Sequence, residues 1–419
     1  MKVLEVEGNV PLLGSVAISG AKNSAVALIP TAILSNKKTT ITNIPDITDI
    51  DVLCDILEFM HVKVTRASGS IVIDPSKMEN SVIPDELTSK LRASYYFMSS
   101  LLAKYKHVCI HFPGGCKIGN RPIDQTLKVF KALGAEIKED DCFFTISAKE
   151  LVGNEIHLDM PSVGATVNAI IVGSKAKGKT VVTNAAREPE IVDLADMLNK
   201  MGAKITGAGT STVTIEGVEE LDGCCHNVIP DRIEAGTYII LGALIGTYMS
   251  VENIIPEHIN ALLDKLREMG ADIEVNNDNV IVNATENIKA VNIETKGYPG
   301  FATDLQQPLV TLLTQAKGKS EVVETIYENR FMNTVYLNKM GANISVKDRT
   351  ATILGPNKLH GEVVEATDLR GAASLLLAAL KADGKTTINN VEHLLRGYAD
   401  IIEKLNNLGA KIELKEVDE

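Results

Sequence analysis

Along the chain the spacing of apolar positions switches between helical and strand periods, and the same succession of periods returns. Residues 23–34 are apolar almost throughout, which suits a helix buried on all sides. Residues 38–43 read as a strand. Residues 51–60 carry apolar positions at helical spacing, and residues 62–64 and 70–73 alternate as the arms of a hairpin. The first seven residues alternate apolar and charged side chains like a strand, and lack the apolar core of a signal peptide.

A short phrase punctuates this succession. An apolar residue followed by Gly-Ala occurs at Leu133-Gly134-Ala135, Met201-Gly202-Ala203, Met269-Gly270-Ala271, Met340-Gly341-Ala342 and Leu408-Gly409-Ala410, with a degenerate copy at Met60-His61-Val62. Glycine after a helix suits a left-handed cap. The copies are spaced by roughly 70 residues, so six versions of one supersecondary unit are expected. Each opens with a helix, then a strand, then a second helix that ends at the phrase, then one or two more strands. Three units per domain give sheets arranged around inner helices. The expected division is residues 21–229 against 1–20 plus 230–419, with a ligand cleft between them.

The opening helices start with charged or small polar residues, among them Lys22, Arg92, Ser162, Asp231-Arg232, Asp304 and Arg370. Helix amino ends attract anions. Taken singly, each start reads better as a capped core helix; together they favour an anionic ligand.

Bulk properties narrow the class. The 419 residues are 45% hydrophobic and 23% charged, and no apolar run is long enough to span a membrane. A net charge of −12, no tryptophan and 4% aromatic residues disfavour a nucleic-acid partner. A cytoplasmic protein is expected. Six cysteines without a C-x-x-C pair or histidine at ligand spacing disfavour structural zinc and a disulfide framework. Those apart from Cys116 read as buried thiols in apolar or strand-like surroundings. Only ten of the 42 cations are arginine, and seven of those (Arg92, Arg121, Arg187, Arg232, Arg330, Arg370, Arg396) fall in loops or at helix starts. Arginine is favoured where a planar fork grips phosphate or carboxylate, although Arg187-Glu188 and Arg232-x-Glu234 also suit structural pairing.

The loop of residues 113–124 carries Cys116 among three glycines and two prolines, between the cations Lys117 and Arg121. Cationic neighbours favour a thiolate, so these residues suit a reactive thiol over an anionic substrate, or equally a surface turn with an incidental cysteine.

Several phrases together resemble the UDP-N-acetylglucosamine 1-carboxyvinyltransferase family of enolpyruvyl transferases. They are Gly20-Ala21-Lys22-Asn23, Pro113-Gly114-Gly115-Cys116, Arg121-Pro122-Ile123-Asp124, Ser162-Val163-Gly164-Ala165-Thr166, Ala186-Arg187-Glu188-Pro189-Glu190, Pro230-Asp231-Arg232-Ile233-Glu234, Thr303-Asp304-x-Gln306, Glu328-Asn329-Arg330-Phe331 and Arg396-Gly397-Tyr398. The resemblance runs almost end to end. It implies an α/β fold of two inside-out barrels (an α/β prism), each of three repeated units. It also implies the first committed step of peptidoglycan synthesis, hence roles in cell-wall biogenesis, cell shape and division. The implied reaction joins phosphoenolpyruvate to the 3-hydroxyl of UDP-N-acetylglucosamine through a tetrahedral ketal, releasing phosphate, without metal or organic cofactor. Cys116 would protonate the vinyl carbon, or add covalently through sulfur to phosphoenolpyruvate, and Asp304 would take the hydroxyl proton, with Asn23 orienting that hydroxyl. Lys22, Arg121 and Arg396 would hold the phosphate, with Arg370 assisting. Arg92, Arg121, Pro122, Ile123, Asp124, Gln125, Ser162, Val163, Gly164, Asp304 and Ile326 would bind the UDP-sugar. Arg330, Glu188, Glu190, Asp231 and Asp368 would act behind them or as hinges. A helix dipole would keep Asp304 ionised. Thr126, Met160, Lys117 and Ala302 depart from the family's usual residues. The alternatives weighed are a shikimate-pathway enolpyruvyl transferase and a catalytically silent UDP-sugar-binding paralogue.

Overall fold

The computed structural model describes residues 2–111, 122–140 and 143–416. Their helices and strands form an α/β protein whose sheets are small and mixed. The chain divides into two compact units. One contains residues 20–111, 122–140 and 143–229, and the other residues 2–19 and 230–416.

Six largely buried helices form the interiors of the two units. In the first unit they are α1 (Lys22–Thr31), α2 (Tyr96–Tyr105) and α3 (Val163–Gly173). In the second they are α4 (Arg232–Ile245), α5 (Thr303–Leu313) and α6 (Leu369–Lys381). Past their first turns these helices have no polar face, so water is excluded from every side. Residues Ile233 to Leu244 of α4 and Arg370 to Leu380 of α6 are buried without a break. Within the second unit α4, α5 and α6 pack on one another; within the first, α2 packs on both α1 and α3.

The sheets cover these helices. In the first unit Thr39–Thr42 pairs antiparallel with Ser70–Asp74 and parallel with Cys225–Asn227. Lys179–Thr183 repeats that arrangement with Thr212–Glu216 and Glu155–His157. The strand His107–His111 pairs antiparallel with Phe143–Ser147 and meets Ile83 at an isolated parallel bridge. In the second unit the N-terminal segment is shared between two sheets. Lys2–Glu7 lies between Lys385–Asn389 and Lys411–Glu416, and Leu12–Ala17 runs parallel to Gly246–Glu252.

The Gly-Ala phrase has the conformation its position demands. Gly134, Gly202, Gly270, Gly341 and Gly409 all lie at φ between +78° and +103°, where a side chain is strained. In the degenerate copy His61 takes φ +60° at the same place. Each closes an amphipathic helix, as Gly270 does for Asn260–Met269.

A second recurrent position was not apparent from the hydrophobic pattern. Asn43, Asn184, Asn253 and Asn390 each follow the strand after an inner helix, and all have φ of 56° or 57°. Asn43, Asn184 and Asn253 donate through Nδ2 to the carbonyls of Val228, Leu158 and Ile18, which ties each strand end to its parallel neighbour. Asparagine tolerates this left-handed geometry better than other residues with a Cβ.

Some expectations are corrected. The helix expected at residues 51–60 begins earlier and spans Thr48–Phe59, because Asp49 and Asp51 suit its first turn. The cysteines are not uniformly buried. Cys54 is buried, Cys109 and Cys224 are half-buried, and Cys225 is exposed, since its strand turns His226 inward instead. Cys116 and Cys142 lie outside the described residues.

Candidate active site

In the second unit the candidate base is Asp304, second residue of α5. Two arginines hold it from different elements. Arg330 Nη2 donates to Asp304 Oδ1 at 2.7 Å, and Arg370 Nη2, from the first turn of α6, donates to Oδ2 at 3.2 Å. Both guanidinium groups are almost fully buried, whereas a quarter of the Asp304 side chain is open. Burial by itself raises the Asp304 carboxyl. Arg370, Arg330 and Arg232 more than offset this and hold it far below the usual carboxylate range. Neighbouring cations thus keep Asp304 ionised, in addition to its place in the first turn of α5.

Aromatic rings and caps fix the arginines in turn. Arg330 lies 5.0 Å from the Tyr327 ring centroid, and Arg370 lies 5.2 Å from that of Tyr398. The Tyr398 hydroxyl is 3.0 Å from Thr237 Oγ1, whose own hydrogen goes to the Ile233 carbonyl. Asp368 caps α6 by accepting from the amides of Arg370 and Gly371, and its other oxygen accepts from Gln307 Nε2 and Thr367. Asp231 caps α4 in the same way. These two aspartates thus shape the helix starts that carry Arg370 and Arg232. Ile326 is partly exposed, and Arg396 is half-buried at the end of Glu392–Leu395.

In the first unit Lys22, first residue of α1, pairs with the buried Asp49 at 2.7 Å. Asn23 follows it on the same turn, half-buried. Arg92 begins a short 3-10 turn and lies over the Tyr95 ring at 5.9 Å. Ser162 caps α3, accepting from the Ala165 amide, and leaves Val163 exposed. Gly164 stands so close to Tyr95 that a Cβ there would meet the phenol oxygen at 1.8 Å. Pro122, Ile123 and Asp124 lead into the helix Asp124–Ala132. Gln125 is buried and bonds both Asp124 and Asp159, and Lys128 pairs with Asp159 on the same face. Cys116, Lys117 and Arg121 lie outside the described residues.

Asp304, Arg330 and Arg370 are therefore brought together, as are Lys22 with Asp49 and Arg92 with Tyr95 and Gly164. Sequence reading missed Asp49, whose only local signal is its place in a helix's first turn. It also missed Glu324, which is completely buried and bonded to Thr303 beside Asp304.

Comparison with known proteins gives the class first. Residues 6–405 match the family of EPSP synthase (3-phosphoshikimate 1-carboxyvinyltransferase). The enolpyruvyl transferase NikO of Streptomyces tendae superposes with a TM-score of 0.90 at 28% identity, over 100% of this chain and 99% of that one. EPSP synthase of Acinetobacter baumannii shares the fold, with a TM-score of 0.75 at 18% identity over 99% of this chain and 100% of that one. The fold is thus that of the enolpyruvyl transferases. A closer relative in sequence is UDP-N-acetylglucosamine 1-carboxyvinyltransferase 2 of Bacillus subtilis (strain 168), 49% identical over 98% of this chain and 96% of its own. The chain belongs to the UDP-N-acetylglucosamine 1-carboxyvinyltransferase family.

Proposed function

We propose that the protein transfers the enolpyruvyl group of phosphoenolpyruvate to the 3-hydroxyl of UDP-N-acetylglucosamine and releases phosphate, the first committed step of peptidoglycan synthesis. The reaction is placed in the cytoplasm. The fold is read as two inside-out α/β barrels of three repeated units each, a reading supported by inner helices that are buried on every side. The observation that carries the reaction is Asp304, ionised and partly open between two buried arginines.

Asp304 takes the proton of the sugar 3-hydroxyl as the oxygen bonds to C2 of phosphoenolpyruvate, and Cys116 gives a proton to C3. The tetrahedral ketal then loses a proton from C3 to the thiolate, the C2–O bond to phosphate breaks, and phosphate leaves. Lys22, Arg121 and Arg396 hold the phosphate through this change, and Arg370 steadies the anionic substrate. Arg92, the Pro122–Gln125 run, Ser162, Val163, Gly164 and Ile326 hold the UDP-sugar, and Asn23 orients its hydroxyl.

The test is phosphate release from phosphoenolpyruvate with UDP-N-acetylglucosamine, with shikimate 3-phosphate and with no acceptor. Release with the UDP-sugar alone is expected. Release only with shikimate 3-phosphate would make the protein a shikimate-pathway transferase. Binding of the UDP-sugar without release would make it a silent paralogue. Mass spectrometry after treatment with a phosphonate epoxide should find Cys116 alkylated, and Cys116→Asp should keep part of the activity, since a carboxyl group also donates a proton.

A further inference from the structure

Glu324 stands at the repeat position that asparagine fills at 43, 184, 253 and 390, directly after the strand Gly318–Val323. The pairing of the strand end keeps the pattern of three of the other copies. The Thr295 amide donates to the Val323 carbonyl, as the Val228 amide does to Thr42, Leu158 to Thr183 and Ile18 to Glu252. What changes is the residue itself: Glu324 is not left-handed, its own amide donates to the Arg349 carbonyl where the residue after the asparagine donates in the copies at 43, 184 and 253, and its side chain takes other partners. In three of the other copies the asparagine donates to the neighbouring carbonyl. Here that carbonyl, on Thr295, accepts from Thr325 Oγ1, and Glu324 is released for another task.

Glu324 is completely buried, and it accepts from four donors. Its Oε1 takes the amides of Ile326 and Tyr327 at 2.8 and 3.2 Å and the Thr295 hydroxyl at 3.0 Å. Its Oε2 takes the Thr303 hydroxyl at 2.8 Å. Thr303 has one hydrogen to give, and it goes to Glu324. The Thr303 oxygen is therefore turned to accept from Arg330 Nη1 at 3.1 Å, while Arg330 Nη2 reaches Asp304. Every bond in this chain has a forced direction, because a guanidinium only donates and a carboxylate only accepts.

We infer that Glu324 is a positioning residue for Asp304: through the Thr303 hydroxyl it aims Arg330 at the base, and through the Ile326 and Tyr327 amides it fixes the segment that meets the UDP-sugar. This rests on reading Asp304 as the base. The two halves of the role separate by substitution. In Glu324→Gln the amide oxygen still serves the Ile326 and Tyr327 amides, but its NH2 faces Thr303, whose hydrogen loses its acceptor. In Glu324→Ala both halves are lost.

The expected result for Glu324→Gln is a kcat lower by about 10-fold with KM for UDP-N-acetylglucosamine changed less than about 2-fold, whereas Glu324→Ala also raises that KM. Thr303→Val should match Glu324→Gln, and the double variant should be no worse than either, since both cut one path. Losses that multiply in the double variant, or a native kcat in Glu324→Gln, would overturn the inference. A readout without turnover keeps it apart from the proposed reaction. In arginine-15N-labelled full-length protein, the guanidinium protons of Arg330, assigned by their loss in Arg330→Lys, should exchange about 10-fold faster in Glu324→Gln than in the native chain. Unchanged exchange overturns the positioning role whether or not the native protein releases phosphate.

Discussion

Arg370 Nη2 lies 3.2 Å from Asp304 Oδ2, so the candidate base is held by a cation that the proposed reaction also assigns to the substrate. A carboxylate held this way is a weak base until the arginine turns part of its charge to an arriving anion. Asp304→Asn keeps the shape and removes the base. Its kcat should fall by about 10²–10⁴-fold, with UDP-N-acetylglucosamine binding by calorimetry changed only a few-fold. Because Asp304 is held far below the usual carboxylate range, the native kcat/KM should show no acid limb from it between about pH 4 and 7. Arg370→Ala should bring that limb upward, and an unmoved profile would argue against the coupling.

The pair Lys22–Asp49 makes a second prediction. Asp49 is buried and aims the Lys22 ammonium, so Asp49→Ala should raise KM for phosphoenolpyruvate roughly 10-fold, the loss of one charge-assisted hydrogen bond. KM for the UDP-sugar should stay close to native. Equal changes in both constants would show a general distortion instead.

Gly164 is set by close approach rather than by dihedral freedom. A methyl group there meets the Tyr95 oxygen at 1.8 Å, and Tyr95 underlies Arg92. Gly164→Ala should shift that ring and raise KM for UDP-N-acetylglucosamine by about 10-fold or more, with KM for phosphoenolpyruvate little changed. Steady-state kinetics with each substrate varied in turn decides it.

Stability should carry a pH signature from Glu234. This carboxyl is buried and bonds Lys404 at 2.6 Å and the Ser19 amide at 3.0 Å. Burial pushes it up to about 7 against the pull of Lys404. Between its ordinary 4.5 and about 7 the folded chain holds a proton that the unfolded chain has released, so this contribution is present at low pH and lost as pH rises through 7. Lys404→Met removes the partner and should cost about 3–5 kcal/mol near pH 8. At pH 5 the deficit should shrink by at least about 1 kcal/mol, because the carboxyl is then protonated. Urea unfolding at the two pH values measures both.

Much of the fold was legible in the chain. Glycine at 134, 202, 270, 341 and 409 announced its own geometry, since the left-handed cap is a local demand of the backbone. The inner helices were legible because residues such as Ile239, Ile240 and Leu241 admit no wet face. The family resemblance then picked out Asp304, Arg330 and Arg370 as separate residues. Their partnership was not legible. Residues 304, 330 and 370 come from a helix, a connecting segment and another helix, and nothing in their local sequence says which arginine takes which oxygen.

The same division separates Glu324 from the asparagines it replaces. Sequence alone determined the succession of elements, the caps and the residue types that reach the helix starts, because backbone sterics and hydrophobic period act over a few residues. Only the tertiary structure decided that Arg330 and Arg370 share Asp304, that Asp49 aims Lys22, and that a buried glutamate directs the Thr303 hydroxyl. The energies of these bonds depend on burial and on distances of about 3 Å between groups far apart in the chain, and folding sets both at once.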